Sequence, residues 1–257
     1  MIDCKAYADE ILDGIKDNGH LAVISVGDDP ASMSYIKGKK KDCERVGHKF
    51  THYQYTADVN EAIVLGMIDY LNDNPDVTGI IVQLPLPKHL DAERICNRIA
   101  REKDVDGFRP DSPFLPCTPE GIVHILKKEL GDLTGKRATI IGRGKLVGKP
   151  LMQMLLEEDM TVSVCHSKTG NFDLDTLTMY SDAVIVAVGK PRCINLNHVL
   201  PGTVVIDCGV NRGDDGKLCG DVGYSRSKRI TPVPGGVGLM TRAMLMKHVE
   251  VRVHESK

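Results

Sequence analysis

RATIIGRGKLVGKPLMQMLLEE, residues 137–158, is the stretch on which the fold turns. It opens with a short β-branched run of the kind that forms a buried strand. Gly142, Gly144 and Gly148 follow as G-x-G-x-x-x-G, and a helical run comes after them. Glycines let a backbone approach phosphates closely, and a helix N-terminus offers free N–H groups and positive potential. The spacing is one residue longer than the commonest dinucleotide fingerprint. Taken alone, it fits a purely structural turn of a βαβ unit as well as a dinucleotide site.

C-terminal to this stretch, TVSVCHS (161–167), DAVIVAV (182–188) and TVVIDCG (203–209) are three further apolar, β-branched runs, each closing on a Gly or polar turn. Together they predict a Rossmann-type sheet. GLMTRAMLMKHVEVRVHE (238–255) reads as a final helix. NAD-preferring sites often carry Asp or Glu at the end of the second strand, to hold the ribose 2′-hydroxyl. Here that strand ends Cys165-His166-Ser167-Lys168, with no acid, and Arg143 sits in the glycine turn. Arg143, Ser167 and Lys168 suit a 2′-phosphate, which favours NADP over NAD. The competing reading makes Lys168 a solvated surface charge.

On the N-terminal side the alternation continues. Residues 3–16 have helical spacing, with Ala6, Ile11, Leu12 and Ile15 on one side. LAVISVG (21–27) reads as a strand, 31–46 as a helix ended by Gly47, KFTHYQY (49–55) as a strand and 60–73 as a helix. TGIIVQLPLP (78–87) reads as a strand stopped by prolines, and 119–130 as a helix carrying the chain between domains. The fold class is therefore α/β, with two domains. Residues 1–118 plus 240–257 form one, 119–239 the Rossmann-type other, each a mainly parallel sheet with flanking helices and an active-site cleft between them.

Composition narrows the function. The chain has 257 residues, 42% hydrophobic and 26% charged, with a formal net charge of −2, so no basic excess points to nucleic acid. Trp is absent, which leaves aliphatic and Met side chains to fill the core. No apolar run approaches a membrane span, and the N-terminal charges read against a signal peptide. The eight Cys form no C-x-x-C pair and the nine His no H-x-x-x-H, so the cysteines read as reduced thiols and no metal site is expected.

The first half holds a separate set of polar residues. Tyr35 and Lys39 are four apart and share a helix face, while Lys37, Lys40 and Lys41 splay onto other faces. A Lys serves as general base or proton donor if its pKa is lowered; the plainer reading is a surface pair. Gln83 breaks an apolar strand at its C-terminal end, where ligands of open parallel sheets bind, or is satisfied by loop backbone. In KDVDGF (103–108), Asp104 or Asp106 is a turn-former, and Asp106 also suits a heteroaromatic amine–imine edge. PVPGGVG (232–238) is a loop whose glycines admit a flat ligand.

These pieces, in this order, resemble the methylenetetrahydrofolate dehydrogenase/cyclohydrolase family. The matching text is Tyr35-x-x-x-Lys39, GIIVQLPLP (79–87), KDVDGF (103–108), PCTPEGI (116–122), IGRGKLVGKP (141–150), CHSKT (165–169), VIDCGVNR (205–212), GDV (220–222) and ITPVPGGVG (230–238). The resemblance implies oxidation of 5,10-methylenetetrahydrofolate to the 5,10-methenyl cation with NADP, NAD being the alternative, then hydrolysis to 10-formyltetrahydrofolate. It implies that Lys39 is the catalytic lysine, that Gln83 positions it, that Asp106 anchors the pterin and that Tyr35 stacks on the p-aminobenzoyl ring. It adds Leu84, Pro85, Pro234, Gly235 and Gly236 to the substrate site. For the cofactor it implies Gly142, Arg143, Gly144, Val147, Gly148, His166, Ser167, Lys168, Gly189 and Thr231. It further implies a cytoplasmic homodimer acting on a small-molecule folate.

The sequence departs from the family's pattern at two positions. Gly144 stands where the family usually has Ser, which removes a possible phosphate contact. Leu239 stands where it has Pro, which predicts a less rigid helix start. The N-terminus also reads as short, with a trimmed first helix. A shikimate-type dehydrogenase has no need of Tyr35, Lys39, Gln83 and Asp106 together. A non-catalytic folate or nucleotide binder would bind without turnover. Retention of both Lys39 and Gln83 argues against a dehydrogenase lacking the hydrolytic step.

Overall fold

The computed structural model describes the backbone of residues 1–255 and side chains through residue 250. Ser256 and Lys257, included in the expected C-terminal segment, lie outside the described residues. The chain forms two compact units. One comprises Asp9–Cys117 and the chain from Arg242 onward; the other comprises Met1–Ala8 and Thr118–Thr241. The first eight residues, read from the sequence with the first half, belong to the second unit. Ile2 N–H donates to Ile230 O at 3.0 Å and Tyr7 OH to Glu129 at 2.7 Å. Of the first helix, α1 (Cys4–Asp13), one part therefore lies in each unit.

The Asp9–Cys117 unit has a three-stranded parallel sheet in the order β2-β1-β3. Its strands are β1 (His20–Val26), β2 (Lys49–Tyr55) and β3 (Gly79–Val82). The crossovers are α2 (Pro30–Val46) and α3 (Glu61–Asp73). α2 starts cleanly because Asp29 accepts from Ser32 N–H and Pro30 fixes φ in the first turn; it ends at Gly47, at φ 82°. α3 buries Val64, Ile68 and Leu71, each at 0% exposure, against β1 and β3 residues such as Ile24 and Ile80. Each such side chain contributes about 2 kcal/mol. A short helix, α4 (Ala92–Arg98), and one 3₁₀ turn (Arg101–Lys103) follow, neither of which hydrophobic period predicts.

The Thr118–Thr241 unit has a four-stranded parallel sheet in the order β5-β4-β6-β8, as expected of a Rossmann-type sheet. Here β4 is Arg137–Ile141, β5 Thr161–Cys165, β6 Ala183–Val186, β7 Ile194–Leu196 and β8 Val204–Asp207. α5 (Cys117–Leu130) leads in, α6 (Gly148–Glu157) joins β4 to β5, and α7 (Asn171–Met179), not anticipated, joins β5 to β6. β9 (Asn211–Arg212) and β10 (Leu218–Cys219) pair antiparallel, and β11 (Val222–Ser225) pairs with β7. The last helix, α8 (Val237–Glu255), gives its first turn to this unit and continues into the other. Buried Met154, Met160, Met240, Met244 and Met246 supply core volume in a chain without Trp. No helix among the described residues is long and apolar enough to cross a membrane.

The strand expected at 49–55 forms over its whole length and that at 21–27 is offset by one residue, whereas the runs at 78–87, 161–167, 182–188 and 203–209 extend past their strands. TGIIVQLPLP narrows to Gly79–Val82, after which Gln83 N–H still bonds Ile24 O at 2.8 Å. Leu84–Pro85 is a cis peptide, and proline has no N–H to extend a ladder.

Candidate active site

Three of the singled-out side chains meet in the three-stranded unit. The buried stripe of α2 is Ile36, Lys39, Asp42 and Cys43, so two charged residues occupy core-facing positions of one helix. Lys39 is 4% exposed. Its Nζ donates to Gln83 Oε1 at 3.1 Å, and Gln83 Nε2 donates to Leu84 O at 2.8 Å. The second bond fixes the amide so that its acceptor faces the lysine. The Tyr35 ring centroid lies 5.2 Å from the same Nζ. Burial pushes the Lys39 amine below the ordinary lysine range, while the Asp106 charge pulls it back up. Lys37, Lys40 and Lys41 are exposed, as their spacing predicts.

Asp104 and Asp106 separate into two roles. Asp104 is buried, and its carboxylate accepts Arg109 N–H at 2.9 Å, so it ties the loop. Asp106 is tied to the start of α5 instead: its carboxyl accepts from the Cys117 thiol and its main-chain O accepts Cys117 N–H at 3.3 Å. Burial pushes the Asp106 carboxyl up, and Lys39 and His248 draw it down. The turn after it needs glycine: Gly107 has φ 72°, and a Cβ there would lie 2.5 Å from Leu115 O. Leu84 is half-buried and Pro85 exposed. Pro234, Gly235 and Gly236 belong to the other unit, Gly235 at φ 98°. There α8 already starts at Val237, and Leu239 N–H bonds Gly236 O at 3.0 Å, so Leu in place of Pro leaves the first turn formed.

In the four-stranded unit the glycine turn sits at the C-terminal end of β4, where the strand order reverses. Gly142 has φ 122°, and a Cβ there would overlap Ala187 O; one at Gly148 would overlap Gly142 O. Those two glycines are required by close packing. Gly144 is open, and a side chain there would meet nothing within 4 Å. α6 begins after Val147 with no side-chain cap; Lys149 N–H bonds Gly144 O at 3.1 Å and Pro150 has no N–H, so the helix start offers a ligand its positive potential and the Gly148 end of the turn. Beside it lies a pocket of about 520 Å³, lined in part by Arg143, Gly148, Lys149 and His166. Arg143 is exposed, as are Ser167 and Lys168, which follow the pocket-lining His166 in the chain. A close backbone turn, a helix N-terminus without a side-chain cap and two exposed cations fit a dinucleotide phosphate.

Two family models match the chain by sequence: the catalytic domain of tetrahydrofolate dehydrogenase/cyclohydrolase over residues 2–106, and its NAD(P)-binding domain over residues 116–257. The chain belongs to the tetrahydrofolate dehydrogenase/cyclohydrolase family. It is 44% identical to the bifunctional protein FolD of Agathobacter rectalis, covering 96% of each chain. The crystal structure of the bifunctional FolD of Campylobacter jejuni superposes with TM-score 0.89 at 40% identity, over 99% of this chain and 98% of that one. A Trypanosoma brucei FolD, solved with NADP cofactor and inhibitor, gives TM-score 0.88 at 30% identity, over 98% and 95%. Membership makes the chain a bifunctional enzyme, a dehydrogenase and a cyclohydrolase of one-carbon folates.

Two expected cofactor residues have structural duties in this family member. Thr231 is 3% exposed, and its hydroxyl accepts Asp207 N–H at 2.8 Å. Gly189 N–H donates to Asp221 at 2.9 Å. Asp207 and Asp221, in VIDCGVNR (205–212) and GDV (220–222), are the partners of these groups. Asp221 is 0% exposed and also accepts Val188 N–H at 2.7 Å and Lys190 N–H at 3.0 Å. Asp207 accepts the N–H groups of Gly209 and Asp221, both at 2.9 Å. These carboxylates hold the loop after β6, against which Gly142 packs. The available signal was an Asp next to Gly220 in one motif and two residues before Gly209 in the other.

Proposed function

We propose that the chain oxidises 5,10-methylenetetrahydrofolate with NADP⁺ and hydrolyses the 5,10-methenyl product to 10-formyltetrahydrofolate, with Lys39, Gln83 and Asp106 as catalytic residues. The observation that carries this reading is the buried Lys39 amine bonded to a fixed Gln83 acceptor. Tyr35 stacks on the p-aminobenzoyl ring, and Asp106 accepts from the amine–imine edge of the pterin. Leu84, Pro85, Pro234, Gly235 and Gly236 border the substrate. Gly142, Gly144, Val147 and Gly148 hold the cofactor's phosphates at the α6 N-terminus, with Gly189 and Thr231 nearby; Arg143, His166, Ser167 and Lys168 take the 2′-phosphate. Bound NADP⁺ supplies the hydride acceptor. The chain's part in that step is alignment of the two rings.

The hydrolysis needs proton movement. Water adds to the methenyl carbon, and neutral Lys39 takes a proton from it. The formyl group stays on N10, so the bond from that carbon to N5 breaks and the Lys39 ammonium returns a proton to N5. A further proton leaves to solvent, which balances a cation and water against a neutral product. A lowered lysine pKa serves both transfers near neutral pH. The same reading makes the enzyme a cytoplasmic homodimer acting on a small-molecule folate.

The cofactor preference is tested by comparing kcat/KM with NADP⁺ and NAD⁺. Loss of the charge-assisted contacts from Arg143 and Lys168 should leave NAD⁺ at least about tenfold poorer. An equal or higher value with NAD⁺ overturns the assignment.

A further inference from the structure

Lys39 shares its buried stripe with a second charge, Asp42, which is 8% exposed. Asp42 Oδ2 lies 2.7 Å from Arg242 Nε, with the two side chains 11% and 20% exposed. Arg242 is the first residue of α8 that belongs to the three-stranded unit. Its guanidinium lies against Gly38: a methyl at that position would overlap Nη1 and sit 2.8 Å from Cζ. Arg242 thus runs along α2 from Asp42 to the residue immediately before Lys39. A desolvated ion pair is a costly way to pack two helices, since apolar side chains of similar volume fill such a gap as well or better. The charges therefore need a reason beyond packing.

Their neighbour supplies one. Asp106 from the turn after the 3₁₀ segment, Cys117 from the start of α5 and Cys43 from α2 itself all favour a protonated Lys39. Arg242, from α8, opposes it. His248 acts on Asp106 from the same helix, and Asp42 is engaged with Arg242. We propose that Arg242, held by Asp42 and seated on Gly38, is a positioning residue for Lys39: it fixes the turn of α2 that carries the amine and keeps a fixed positive charge beside it. The consequence for catalysis rests on the reading of Lys39 as the proton carrier of the hydrolytic step.

The test uses the full-length enzyme and reads Lys39 twice. Competitive acetylation against pH, followed by peptide mass spectrometry, gives the protonation midpoint of Lys39 without turnover; the pH profile of methenyltetrahydrofolate hydrolysis gives its catalytic counterpart. Arg242→Met removes the opposing charge, so the labelling midpoint should move up by about 0.5–1 pH unit, with the acid limb of the hydrolysis profile following it. Arg242→Lys keeps the charge and should stay near the parent. Asp42→Asn leaves the guanidinium uncompensated and should move the midpoint down, which keeps the proposal testable if Arg242→Met does not fold. An unmoved midpoint in Arg242→Met, or in Asp42→Asn, overturns the proposal, as does a shift in Arg242→Lys equal to that in Arg242→Met. A labelling shift with no matching shift in hydrolysis instead overturns the reading of Lys39 as proton carrier.

Discussion

A lysine amine is seldom found in a protein core, because desolvation disfavours its charged form. Lys39 is there because α2 carries it inward on the same face as Ile36 and Cys43, and because Gln83 accepts its hydrogen bond. Replacing it tests its role. Lys39→Ala should lower methenyltetrahydrofolate hydrolysis by about 10²–10⁴-fold, the range of general acid–base catalysis, while NADP⁺ affinity stays at the parent value. Parallel stopped-flow hydrolysis and cofactor titration check this; normal hydrolysis in the variant contradicts it. At this scale the sequence was legible where spacing carries geometry. Tyr35 and Lys39, four apart on a helix, do share a face. Arg242 and Asp42 were not legible, since their contact joins helices two hundred positions apart in the chain. Nor could the text say which of Asp104 and Asp106 ties the loop; the bond from Arg109 N–H to Asp104 decides that.

Secondary-structure elements were legible where hydrophobic period was strong. The four runs of the Rossmann sheet and the three of the other sheet are all strands, but the runs at 78–87, 161–167, 182–188 and 203–209 overstate theirs. An apolar side chain marks burial, and burial continues past the last ladder bond into loops such as Leu84 and Leu86, which pack on the core from outside β3. The short α4 was missed because a seven-residue helix shows barely two turns of period; its start is set by Asp91 accepting Arg94 N–H. One buried lysine illustrates what sequence hides at this scale. Lys103 Nζ donates to the main-chain O atoms of Leu71, Asn72 and Asn74 at 2.9, 2.8 and 2.7 Å, satisfying the end of α3. Lys103→Met removes those three bonds and leaves buried acceptors behind. We expect a loss of about 2–4 kcal/mol in urea unfolding with the four-stranded unit's cofactor affinity retained; a change under about 0.5 kcal/mol would contradict the capping role.

The whole molecule joins two chemically different units on one chain, and they should answer acid differently. His20, His48 and His52 are all held below the ordinary histidine value by burial, and all lie in the three-stranded unit. His48 Nδ1 accepts Gly19 N–H at 3.0 Å, a bond that protonation removes. A base whose folded pKa is depressed gives its full stability above the unfolded value and loses it as pH falls. Between about pH 7 and pH 5, hydrogen exchange in β1 and β2 should therefore accelerate beyond its intrinsic pH trend more than exchange in β4 and β6. Equal changes in both sheets would contradict the assignment. The glycine turn of residues 142–148 reads from the sequence as either structural or ligand-binding, and its packing divides it. Gly142 and Gly148 are fixed by packing, while Gly144 and the uncapped α6 face outward.

Whether one chain performs both reactions is decided by a product-resolved assay. With 5,10-methylenetetrahydrofolate and NADP⁺, the enzyme should yield NADPH and 10-formyltetrahydrofolate in equal amounts, with little methenyl intermediate accumulating. NADPH matched by accumulating methenyltetrahydrofolate would contradict the hydrolytic role given to Lys39, and intact ligand binding without NADPH would contradict the enzymatic reading altogether.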